Sequence, residues 1–132
     1  GDFLDKERGV GKYTGKYVKK SVWETMPEKD IMHILDKFYK FYSLPQYQTK
    51  LDEAKEKSGA YNQKMYAEFI TAIRNEVEGP ILVSNEVITE TSTKSIVKVR
   101  QEFEDWLSKH GNDHPRIRMK HNDMLDLIKI RQ

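Results

Sequence analysis

The chain has 132 residues, 23 Lys+Arg against 21 Asp+Glu for a formal net charge of +2, and no cysteine. That length suits one domain with its own core, the lack of thiols excludes a disulfide framework and any thiolate zinc centre and fits an intracellular protein, and the longest uncharged apolar run, residues 80–84, is far too short to cross a membrane. The chain opens on Gly1-Asp2 and stops within an apolar-periodic run at Ile130-Arg131-Gln132, as expected of a piece of a longer protein.

Residues 1–21 show no helical period, and glycines at 9, 11 and 15 favour a loop or hairpin, so residues 1–24 read as a basic arm holding glycine and tyrosine. Thr25-Met26-Pro27-Glu28 is a helix start, with a capping threonine, a glutamate three residues on and a proline suited to the first turn. Ile31, Ile34, Leu35, Phe38, Phe41 and Tyr42 follow at helical spacing, and the helix ends before Leu44-Pro45. A second helix begins at Pro45 and ends at Gly59; its thin stripe of Tyr47, Leu51 and Ala54 makes it peripheral. A third, near residues 60–77, carries Tyr61, Met65, Phe69, Ile70, Ile73 and Val77, and Gly79-Pro80 is expected to stop it.

Residues 81–95 turn β-branched, which suits short strands or an extended connector. Residues 95–110 return to a helical stripe of Ile96, Val99, Phe103, Trp106 and Leu107, with Gly111 placed to end it. Residues 112–120 read as a basic loop around Pro115, and Asn122 can cap a last helix from Asp123 to about Ile130. The predicted fold is mostly α: a single helical domain of about five helices over residues 25–132, with an irregular or short β segment near 81–95. Its expected core draws on Ile31, Ile34, Leu35, Phe38, Phe41, Tyr66, Phe69, Ile70, Ile73, Val99, Phe103, Trp106 and Leu107.

The charge is uneven. Residues 1–22 hold six bases against three acids, residues 108–132 hold six against three, and the middle is therefore net −4. Basic ends on an acidic body suit a polyanion binder, and exposed tails are also basic for solubility. The stretch GVGKYTGKYVKK is not a phosphate loop: Gly15-Lys16 is followed by Tyr17 rather than Ser or Thr, the glycine spacing is wrong, and no apolar strand precedes it. It reads instead as a basic segment in which Lys12, Lys16, Lys19 and Lys20 meet phosphates and Tyr13 and Tyr17 stack on bases, or as a loop whose tyrosines pack on the body. His110 and His114 are denied a shared helical face by Gly111 and Pro115, so no metal site is expected. Glu24, Asp30, Asp36 and the acids at 52, 53 and 56 read as ion-pairing surface, and neither catalysis nor a cofactor is expected.

Residues 94–128, KSIVKVRQEFEDWLSKHGNDHPRIRMKHNDMLDLI, carry Val99, Phe103, Trp106, the turn His110-Gly111-Asn112 and Met124. This pattern resembles the small helical DNA-binding module of phage and large-DNA-virus primase–helicases, although RIRMKHND stands where that module opens its recognition helix with small or polar residues. The resemblance implies a helix–turn–helix-like unit whose basic second half meets nucleic acid. In an extended segment Arg116, Arg118 and Lys120 would share one face and grip phosphates without reading sequence. The expected function is a nucleic-acid-binding accessory domain of a replication or recombination protein, with DNA favoured over RNA and contacts from Lys12, Tyr13, Lys16, Tyr17, Lys19, Lys20, Arg116, Arg118 and Lys120. The alternative is a helical protein-interaction or structural domain without catalysis.

Overall fold

The computed structural model describes residues 20–130. They form α1 (Val22–Thr25), α2 (Glu28–Tyr42), α3 (Pro45–Ser58), α4 (Gln63–Phe69), α5 (Thr71–Ser84), α6 (Thr93–His110), a 3-10 turn (Gly111–Asp113) and α7 (Pro115–Leu127). The chain is mostly helical, and the described residues contain no strand.

The central element is α2, whose apolar face holds Ile31, Ile34, Leu35, Phe38 and Tyr42. It lies most extensively along α7 and also packs on α5 and α3. Opposite stand Ile117, Met124 and Ile128 from α7 and the residue after it, and Ile73, Val77, Ile81 and Leu82 from α5. The α6 stripe of Ile96, Val99, Phe103, Trp106 and Leu107 completes the core. Burying a large aliphatic or aromatic side chain contributes about 1.5–3 kcal/mol, so these stripes are the main stabilising force. Trp23 of α1 is buried on α6, where its Nε1–H donates to the Val99 carbonyl at 3.0 Å and its ring meets Phe103 edge-on. The helical body therefore reaches back to α1, inside the stretch that composition assigns to the arm.

Four local expectations are corrected. The hydroxyl of Thr25 does not cap α2; it donates back to the Val22 carbonyl, and Pro27 occupies the cap position. The predicted third helix is two, broken at Ile70 (φ −90°, ψ 0°), and the second runs straight through Gly79-Pro80 to Ser84. The ring of Pro80 removes one helical N–H, and this happens on the exposed side of the helix, where Pro80 and Glu76 both lie. Burial of Ile81 and Leu82 outweighs that loss. Of the expected core, Phe41 and Phe69 are 41% and 39% exposed. The β-branched segment forms no strand: residues 81–84 finish α5, and the rest is a connector that Ser92 ends by accepting from the Ser95 N–H. A residue at Gly79 with a Cβ would place it 3.1 Å from Ile96 Cδ1 and 3.2 Å from Thr91 Cγ2, so glycine allows α5 to approach the start of α6 closely.

Candidate functional site

Lys12, Tyr13, Lys16, Tyr17 and Lys19 lie outside the described residues. The predicted basic loop at 112–120 is the start of a helix. Pro115 holds the first helical position, where its missing N–H costs nothing, and α7 runs from there rather than from Asn122. At helical pitch Arg116, Arg118 and Lys120 cannot share the face an extended segment would give them. Arg116 faces solvent. Arg118 folds back over Gly111, into space that a Cβ there would fill, and its Nη2 donates to the Leu107 carbonyl at 3.1 Å near the end of α6. Lys120 pairs with Asp36 at 2.9 Å and sits 4.7 Å from the Tyr39 ring centre. Arg118 and Lys120 thus bind the domain together.

Lys20 is exposed. It lines an open cleft of about 770 Å³ among the segment leading into α1, the connector after α5, and the exposed flank of α6. The floor is aliphatic, from Val22, Val87, Ile88 and Val99, and the rim holds Lys20, Lys98, Glu102 and four hydroxyl side chains. None of Arg116, Arg118 and Lys120 lines this cleft, so Lys20 does not meet them there.

A buried ionic centre went unforeseen. Glu78 is 2% exposed. It accepts from Arg74 Nε at 3.2 Å, from Arg100 Nη2 at 3.1 Å and from the Tyr42 hydroxyl at 2.5 Å. Burial works to raise the Glu78 pKa, but Arg74 and Arg100, helped by the Tyr42 hydrogen bond, outweigh it and hold the carboxyl below its ordinary value. Burial and then the Glu78 charge push the Tyr42 hydroxyl well above its ordinary value, so it remains a donor. The void beside these groups is about 30 Å³, on the scale of a single water. That leaves no room for a substrate, and the centre joins α2, α5 and α6. The i, i+4 spacing of Arg74 and Glu78 was a signal, hidden by taking Gly79-Pro80 as a helix end.

His121 is buried beside this centre, edge-on to Phe103. Burial, then the Arg74 charge, lower its pKa to about 4, so it is neutral at pH 7. Two further histidines join the seam between α1–α2 and α6–α7: His110 approaches Glu24 at 3.6 Å and His114 approaches Glu28 at 2.7 Å. Both rings rest against Trp106. The described residues contain no group of three or more His, Cys, Asp or Glu arranged to hold a metal ion, and none of their helices is long and apolar enough to cross a membrane.

Comparison with known proteins finds no family model, no curated protein and no solved structure that matches the chain.

Proposed function

We propose that this is a nucleic-acid-binding accessory domain of the replication or recombination kind, acting by binding rather than catalysis, and that its phosphate contacts come from the basic arm and the free lysines at its foot. The supporting observation is how the bases are distributed. Arg74, Arg100, Arg118, Lys120 and Lys129 are spent on bonds that hold the helices together. Lys20 and Lys98 line one cleft and have no acidic partner among the described residues; Lys29, Lys37, Lys40, Lys64, Lys94 and Lys109 are likewise unpaired, and it is the shared cleft beside the arm that sets these two apart. Lys12, Lys16 and Lys19 precede them in sequence. Free lysines grouped where a basic arm meets the body suit a polyanion better than the near-balanced remainder does. Arg116 is a further exposed base, and the likeness of residues 94–128 to the primase–helicase module points the same way.

The test is a salt titration of the 132-residue chain against random-sequence oligonucleotides. Affinity should fall linearly in log–log form with salt, and Lys20→Ala should lower the slope by about 0.7 to 0.9, the share of a single phosphate. No binding at low salt would end this reading.

A second reading, association with another protein, is favoured by one observation. Tyr61, Met65 and Phe69, four residues apart along α4 and the turn before it, are 99%, 38% and 39% exposed. Met65 and Phe69, at i and i+4, share one face of α4, as a site for an amphipathic partner helix needs, and Tyr61 stands exposed in the turn before it. Tyr61→Ser with Phe69→Ser should abolish such an association, read by light scattering on a mixture, and leave oligonucleotide binding unchanged.

A further inference from the structure

We infer that the cleft among the segment leading into α1, the connector after α5, and α6 is the seat of an unpaired nucleotide, its base on the aliphatic floor and its phosphate between Lys20 and Lys98. This deepens the nucleic-acid reading and rests on it.

The cleft has the right size and layering. Its volume of about 770 Å³ falls in the range of roughly 300–1,000 Å³ typical of sites that enclose a small ligand. Val99 is buried, and Val22, Val87 and Ile88 are half-buried, so an apolar surface lies at the bottom with polar groups above it. A base offers a flat, weakly hydrated face to such a floor, and only a base outside a duplex stack has that face free.

The rim supplies the complementary chemistry. Lys20 and Lys98 are exposed, and Glu102 is the one acid among the lining residues, so the lining is net positive. Of the hydroxyls, Thr25 donates to the Val22 carbonyl and Ser95 accepts from Ser92. Ser21 and Thr89 form no side-chain hydrogen bond among the described residues and are free to meet sugar or base edges. The tyrosines of the arm's sequence favour a nucleic acid over an acidic peptide, since lysines suit either polyanion and only bases stack on tyrosine. Three further lysines and two tyrosines fall within residues 12–19, immediately before Lys20. A strand with one nucleotide in the cleft carries more phosphates and bases to meet them.

The test is fluorescence anisotropy on the 132-residue chain, with an oligo(dT) single strand and a duplex of equal length. The single strand should bind more tightly. Lys98→Ala should weaken it several-fold and lower its salt slope by about 0.7. Ile88→Ser, which leaves the charge untouched, should weaken the single strand and not the duplex. Should Ile88→Ser fail to fold, Lys98→Ala at its exposed position still decides. Wild-type single-strand affinity in Lys98→Ala would overturn the cleft assignment while leaving the nucleic-acid reading intact. No binding of either oligonucleotide would remove both. A polyglutamate peptide that binds the wild type as tightly as oligo(dT) and fails to bind Lys98→Ala would overturn the inference in favour of an acidic peptide.

Discussion

At the scale of single residues, the buried charges give the sharpest expectations. Glu78→Ala strands Arg74 and Arg100 without their counter-ion, and breaking a buried pair in this way costs about 3–5 kcal/mol. The denaturant midpoint of the variant should fall accordingly, and an unchanged midpoint would show that the centre is open to water. His121 supplies a pH dependence. Its pKa falls from the ordinary 6.5 to about 4 on folding, so between these values the unfolded chain binds more protons and stability rises with pH. The contribution is complete above pH 6.5 and fades as pH falls toward about 4, amounting to roughly 3 kcal/mol at about 1.4 kcal/mol per pH unit. Arg74, Glu78 and Arg118 are the charges that act on it. The slope of stability against pH over that window should flatten in His121→Leu. Glu78 itself contributes above its ordinary carboxyl value and loses its contribution as pH falls below it.

Among the helices, the turn after α5 can be improved. Glu86 takes φ +61° as the chain leaves the helix, and the Val87 N–H closes the turn on the Leu82 carbonyl at 2.9 Å. Left-handed backbone costs a residue with a Cβ about 1–2 kcal/mol, partly offset by the greater freedom of glycine when unfolded. Glu86→Gly should therefore stabilise by about 0.5–1 kcal/mol, seen as a higher melting temperature. Most of the helical architecture was legible in the sequence, because α2 and α6 each carry a long stripe at one period. The failures occur where a local signal meets a tertiary one. Gly79-Pro80 reads as a stop, but Ile81 and Leu82 are buried and carry the helix onward. Pro115 reads as loop chemistry, though it serves equally as a helix start. Arg118 reads as a phosphate ligand because nothing local announces that Gly111 leaves room for its guanidinium. Of the candidate site, the sequence marked Lys20. It missed Lys98, whose place beside the connector depends on how α5 and α6 pack.

Across the whole molecule, contacts between distant segments join the two ends of the body. Tyr66, whose hydroxyl burial and then Asp52 push up to about 12, donates to the Ile128 carbonyl at 2.7 Å. Gln48 donates to the Tyr42 carbonyl and accepts from Lys129. Trp23 ties α1 to α6. With Trp23 and Trp106 both buried and α2 touching three other helices, unfolding should be one transition. Tryptophan fluorescence and far-ultraviolet circular dichroism should trace the same curve in denaturant, and separated midpoints would show that α1 detaches first. Amide exchange should be slow at Val77 and Ile81 and faster at Ile88–Thr89 in the connector.

The ionic centre also governs how the chain can drift. Positions 74, 78 and 100 make one unit of two guanidiniums and one carboxylate. Removing the carboxylate strands two charges, whereas replacing the whole unit with packed apolar side chains is often neutral or stabilising. Two secure end states are thus separated by poorly tolerated single steps. Chains descended from a common ancestor with this one should keep Glu78 together with its arginines or lack all three, with intermediates rare.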